Sequence, residues 1–127
     1  MKKKQNQKSP AHELYISPLF RLSLKYAQKQ NPDAIYILSA KHGLLDLNET
    51  IEPYEESLVK KKKNEIIEWG LRTKSQLESK SDLQNDEFIF LSGEKYQQGL
   101  RPYLSHVSDP LHGKGLGKRL KFLKEAI

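Results

Sequence analysis

Two short runs rich in apolar residues, Ala34-Ile35-Tyr36-Ile37-Leu38 and Glu87-Phe88-Ile89-Phe90-Leu91, constrain this chain more than any other feature. Each is too short for a helix with a buried stripe, and each is dominated by β-branched and aromatic side chains, the signature of strands. The first reads as a strand buried on both faces, as in a parallel sheet. Helical periods lie around them. Ser17 suits an N-cap and Pro18 a first helical position, Leu19, Leu22 and Tyr26 recur at helical spacing, and Asn31-Pro32 ends that helix. A second helix is expected over 61–77, with Ile66, Ile67, Trp69 and Leu71 facing inward. Gly70 weakens it by about 1 kcal/mol relative to Ala, which implies close packing at that point. A third helix is expected over 94–101, stopped by Pro102, and a weak strand over 105–108. The last helix sets Leu116, Leu120, Leu123 and Ile127 on one stripe and Lys118 and Lys121 on the opposite face. This alternation predicts an α/β fold, with a small, mostly parallel sheet of two strong strands and one or two weak ones, flanked by about four helices.

A chain of 127 residues has room for one core, so residues 1–127 are expected to form a single α/β domain, with 1–11 as a flexible basic N-terminus. No apolar run approaches the roughly 18 residues of a membrane span, and no apolar stretch follows the N-terminal lysines as in a signal peptide. The chain has no cysteine, which excludes disulfides and thiolate chemistry. A cytoplasmic protein without membrane contact is expected. The net charge of +6 favours polyanionic partners. It is unevenly spread: residues 46–56 hold five acids and no base, whereas Lys60-Lys61-Lys62-Lys63 and the last helix are basic.

Both strong strands end alike, in Leu38-Ser39-Ala40 and Leu91-Ser92-Gly93. Ligands bind at the carboxyl ends of strands in open parallel sheets, so two parallel strands would bring both turns to one crevice. Serine also caps the element that follows it, and that plainer reading stands beside the first. Ser39, Lys41, Gly43, Ser92, Gly93 and Tyr96 are therefore candidate substrate-binding residues. His42 is the candidate acid–base: its side chain titrates near neutrality, and Gly43 lets a backbone approach a ligand. A lone histidine more often only anchors its loop. In Glu52-Pro53-Tyr54 the proline stiffens the chain, so Glu52 is a second catalytic candidate and Tyr54 a stacking face, unless Tyr54 simply packs on the core. The glycine-rich segment 112–119 enters a helix, an arrangement that suits anions, and Lys114, Lys118 and Lys121 are candidate nucleic-acid contacts. It lacks the Gly-Lys-Ser/Thr of a P-loop. The four histidines are scattered singly, so no metal and no cofactor is expected.

At Ser39-Ala40-Lys41-His42-Gly43-Leu44-Leu45 followed by Glu52-Pro53-Tyr54, the chain resembles a family of short bacterial and phage proteins of unknown function. The likeness extends to residues 13–21, to Leu91-Ser92-Gly93 with Tyr96, and to Pro110-Leu111 before Gly115-Leu116-Gly117. That family is distantly similar to the uracil-DNA-glycosylase-like α/β domains also found in archaeosine-synthase-type RNA-modification enzymes. The resemblance implies handling of nucleobases or nucleic acid. It also implies a first strand before a Cys/Gly-Lys-Lys turn, whereas this chain starts at Met1-Lys2-Lys3-Lys4. The strand is thus expected to be missing, leaving a sheet edge through which copies could associate. Three functions stay open on these grounds. One is a glycosylase-like hydrolase or transferase acting on nucleic acid or a nucleotide. The others are a non-catalytic module binding the same ligands, and a phage or mobile-element accessory that binds a host protein.

Overall fold

The computed structural model describes residues 8–11, 15, 17–54 and 56–127. The basic segment 1–7, His12, the likeness at residues 13, 14 and 16, and Glu55 lie outside the described residues. No helix among the described residues is long and apolar enough to cross a membrane. The chain divides into two compact units, each made of separate segments. Unit 1 takes residues up to Ile37, Leu45–Glu55 and Leu111–Ile127; unit 2 takes Leu38–Leu44 and Glu56–Pro110.

Unit 1 begins with β1 (Ser9–Pro10), which runs antiparallel to β4 (Thr50–Ile51), Ser9 opposite Ile51. The Ala11 amide adds a 2.7 Å bond to the Glu49 carbonyl. Expected as part of a flexible tail, Ser9 and Ala11 are buried instead. Their neighbours explain it, because Ala11, Tyr15, Ile37, Leu45, Ile51 and Tyr54 form one apolar cluster, with Phe20 and Leu47 against it. Helix α1 (Pro18–Lys29) starts as expected, with the Ser17 hydroxyl accepting from the Phe20 amide at 3.2 Å. It packs on the last helix, α4 (Leu116–Ala126), through Tyr26 and Phe122, whose ring centres are 5.8 Å apart. The expected α4 stripe is only half realised. Leu123 is fully buried, but Leu116 is 62% and Ile127 42% exposed, because a helix of this length meets its partner near its middle and leaves its ends in solvent.

The hairpin of β2 (Tyr36–Ser39) and β3 (Gly43–Asp46) runs from unit 1 into unit 2 and back. Unit 2 also holds α2 (Lys63–Glu78), β5 (Glu87–Ile89), α3 (Glu94–Leu100) and β6 (His106–Ser108), with short 3-10 turns over Leu58–Lys60 and Arg101–Tyr103. Strands β5 and β6 pair in parallel, Phe88 opposite Val107.

The expectation of one mostly parallel sheet is corrected: the strands form three separate pairs, and only β5–β6 is parallel. The cause is Gly43. With a φ of +80° it opens β3 after only three connecting residues, and so short a connection can join β2 and β3 only as antiparallel neighbours. The segment after Ser39 therefore contains β3 and β4. The first strand is also less buried than expected: it starts at Tyr36 and alternates half-buried and buried residues.

Helix α2 is corrected in its inward face. Ile66 and Trp69 are buried as expected, but Ile67 and Leu71 are about half exposed. The inner stripe is Ile66, Trp69, Gly70, Thr73 and Leu77. Its small members let α3 approach closely, as the cost of Gly70 implied. A Cβ on Gly70 would lie 1.9 Å from the Gly99 carbonyl oxygen, and one on Gly99 would lie 2.7 Å from the Trp69 ring.

Candidate functional site

The turn joining β2 to β3 is held by α2. Residues Trp69, Arg72, Thr73 and Gln76 follow helical spacing, so they form one row facing the turn. The Trp69 indole Nε1 donates to the Ser39 carbonyl at 2.8 Å, and an Arg72 guanidinium nitrogen donates to the Ala40 carbonyl at 3.3 Å. Gln76 works in both directions: its Nε2 donates to the His42 carbonyl at 3.0 Å and its Oε1 accepts from the Leu44 amide at 2.9 Å. Inside the turn the Ser39 hydroxyl accepts from the His42 amide at 3.0 Å. Ser39 is wholly buried, so its polar groups need these partners. A side chain on Gly43 would strike the Gln76 carboxamide at 2.1 Å. The backbone from Ser39 to Leu44 is thus fixed by a distant helix, and Lys41 (exposed) and His42 (half-buried) stand on that frame.

The second Leu-Ser turn reaches the same helix. Tyr96, in the first turn of α3, packs edge-on against Trp69 with ring centres 5.6 Å apart. Gln97 donates from Nε2 to the Ser92 carbonyl at 3.1 Å. The Ser92 hydroxyl is buried and has no hydrogen-bond partner among the described residues. Trp69 therefore bonds to the first Leu-Ser turn at Ser39 and meets, edge-on, the helix that follows the second at Tyr96.

Beside the pinned turn lies a hollow of about 340 Å3, walled by Ala40, Leu58 and Trp69. Its charged lining is Glu56, Glu65, Glu68, Lys61 and Arg72. Lys61 and Glu65 pair at 3.9 Å, and a Glu65 oxygen also accepts from the Lys62 amide at 3.1 Å, where α2 begins. The hollow thus offers two further carboxylates, Glu56 and Glu68, both on exposed residues. A wider hollow of about 620 Å3 in unit 1, lined by Tyr36, Asp46 and Glu49 among others, includes none of the residues expected at a site.

Unit 2 thus contains Ser39, Lys41, His42, Gly43, Ser92, Gly93 and Tyr96. Glu52, Tyr54, Lys114, Lys118 and Lys121 belong to unit 1. Tyr54, expected as a stacking face, is buried, and its hydroxyl meets that of Tyr15. Glu52 is exposed on the strand-free segment before it. Lys114 extends over the Phe122 ring at 5.1 Å, and its carbonyl accepts from Arg119 Nε at 2.8 Å. Lys118 and Lys121 are exposed on α4.

A family model covers residues 1–125. The chain belongs to the family of unknown function DUF6884. No curated protein and no solved structure matches it. In this DUF6884 chain the residues that the sequence missed are those of the supporting helix: Trp69, Arg72, Gln76 and the hollow's Glu68. The available signal was the polar row at positions 69, 72, 73 and 76, lying on the same side as the buried stripe.

Proposed function

We propose that this chain processes a nucleobase or nucleotide at the pinned turn, by hydrolysis or exchange of an N-glycosidic bond. One observation supports this reading above the others: the backbone of Ser39–Leu44 is immobilised by Trp69, Arg72 and Gln76. A frame held in this way fixes a catalytic side chain without reorganisation during the reaction. His42 would act as the acid–base, giving a proton to the leaving base nitrogen or taking one from the attacking water. As the bond between C1′ and the base nitrogen breaks, positive charge grows on the sugar ring, and a carboxylate stabilises it. Glu52 was the sequence candidate; Glu68 and Glu56 line the hollow in the same unit as His42. Lys41, Arg72 and Lys61 supply cations for a phosphate, while Ser92 and Tyr96 are the other substrate contacts in this reading.

The test is direct. Purified protein is incubated with nucleosides, nucleotides and oligonucleotides, and free base or exchanged base is sought by mass spectrometry. Product is expected from at least one substrate, and its rate should fall at least about 100-fold in His42→Ala, the scale of a lost acid–base group. Replacing Glu68 and Glu52 singly by Gln then separates the two carboxylates. Absence of product from every substrate, or an unchanged rate in His42→Ala, overturns the assignment.

A further inference from the structure

The two helices of unit 1 carry a charge that the pinned turn does not use. Helix α1 contains Arg21, Lys25 and Lys29 and no acid. Helix α4 contains Lys118, Arg119, Lys121 and Lys124 against Glu125 alone. Together they hold a net +6, the same as the entire 127-residue chain. Everything outside these helices is balanced, the run Lys60-Lys61-Lys62-Lys63 included. The excess positive charge is therefore a property of one helical layer.

The pairing of the helices orders those cations. Tyr26 meets Phe122, and one turn further on the Lys29 ammonium donates to the Ala126 carbonyl at 3.1 Å. Both contacts advance in the same direction, so α1 and α4 run parallel. One turn back from Lys29, Lys25 stands level with Lys121; another turn back, Arg21 stands level with Lys118. These four residues are exposed, and successive levels are about 6 Å apart along the helix axis. Parallel packing also sets both helix N-termini at one end, where their dipoles add to the positive potential.

We infer that the α1–α4 layer is a docking surface for the phosphate backbone of a polynucleotide, so that the ligand is a polymer and not only a free nucleotide. The chemistry favours this partner over two others. A lipid surface is held by cations flanked by an apolar row. On α1 no large apolar side chain is exposed, and on α4 only its two ends are, Leu116 and the capping Ile127, which form no row. A protein partner would need buried aromatic or aliphatic anchors, which this face lacks. A linear polyanion asks only for cations in rows. The inference goes beyond the proposed reaction and does not depend on His42.

The experiment compares two variants of equal charge change by fluorescence anisotropy, using a labelled 20-nucleotide DNA in single- and double-stranded form. Arg21→Gln/Lys25→Gln/Lys118→Gln is expected to bind at least 10-fold more weakly at 100 mM salt. Its log affinity should also fall less steeply with log salt, by about 3 in slope, since each lost contact removes roughly 0.9. Lys60→Gln/Lys62→Gln/Lys63→Gln, in unit 2, should bind within twofold of the parent chain. Circular dichroism on both variants checks that the exposed substitutions leave the fold intact. His42→Ala should bind as the parent does, so loss of turnover with retained binding faults only the reaction. Equal weakening by both triple variants, no weakening by the first, or binding to anionic phospholipid vesicles without binding to the oligonucleotide overturns the inference.

Discussion

The turns after β2 and β5 begin with the same residues, Leu-Ser followed by a small side chain, and are built differently. At Ser39 the hydroxyl caps its own turn and the carbonyl is bonded by Trp69, thirty residues away in sequence. At Ser92 the hydroxyl is buried without a partner among the described residues, and the carbonyl is bonded by Gln97 from the helix that follows at once. The difference begins with the glycines. Gly43, with φ of +80°, reverses the first chain into β3, so its turn must be held from outside. Gly93 in extended geometry leads the second directly into α3, which supplies its own support. A common strand end thus specifies a turn but not what stabilises it.

Four changes would break or sharpen this contrast. The largest effect is expected from Gly70→Ala, because the new methyl would overlap the Gly99 backbone and force α2 from α3, disturbing both turns. A loss of about 3 kcal/mol is expected in urea unfolding, at the upper end for overpacking. Trp69→Phe should act mainly on the first turn. It leaves the Ser39 carbonyl buried and unpaired, at a cost of about 1–3 kcal/mol, and hydrogen exchange should quicken at the His42 and Leu44 amides before it does at Gln97. The two serines then give opposite signs. Ser39→Ala should destabilise by about 1 kcal/mol, whereas Ser92→Ala, which deletes an unpartnered hydroxyl, should be neutral or slightly stabilising in thermal melts. Equal losses at both serines would remove the contrast.

The smallest effect is electrostatic and lies in the turn before β5. Asp82 is held below the ordinary carboxylate range by the Asn85 side chain first, with the Gln84 and Asn85 amides adding to it. Its depressed value means that the charged turn contributes stability above the unfolded-state pKa and loses it as pH falls through the lower folded-state value. A carbon-detected titration should find the Asp82 midpoint below the ordinary carboxylate range, and Asn85→Ala should raise it. An Asp82 midpoint unmoved by that substitution would show the side-chain bond to be idle.

The positions of the helices were legible because each carries its own boundary chemistry: Ser17-Pro18 opens α1, and Pro102 follows α3. The strands were legible as runs, but their pairing was not. Partner choice turned on the backbone angle at Gly43, and apolar periodicity does not encode a single φ. The inward face of α2 was misplaced for a related reason. Hydrophobicity points to Ile67 and Leu71, while the buried stripe uses Gly70 and Thr73, whose value lies in their small size against Gly99 and in the Thr73 hydroxyl donating to the Trp69 carbonyl. Candidate site residues were found where a motif was contiguous, as in Ser39–Gly43. The supporting row from Trp69 to Gln76 escaped notice because its members matter through a turn thirty residues earlier. Tyr54 misled because an aromatic beside a proline looks the same whether it stacks on a ligand or fills a core.

Since α1 closes on α4, a hydrogen bond in that layer spans 97 positions of a 127-residue chain. During synthesis the segment 56–110 can emerge and collapse first, while Tyr26 and its neighbours wait for the final eleven-residue helix to leave the ribosome. Until then the apolar side of α1 is uncovered, so a stop codon placed just before Leu116 should leave a nascent chain that needs chaperone capture, even though it retains the whole of Ser39–Leu44 and α2.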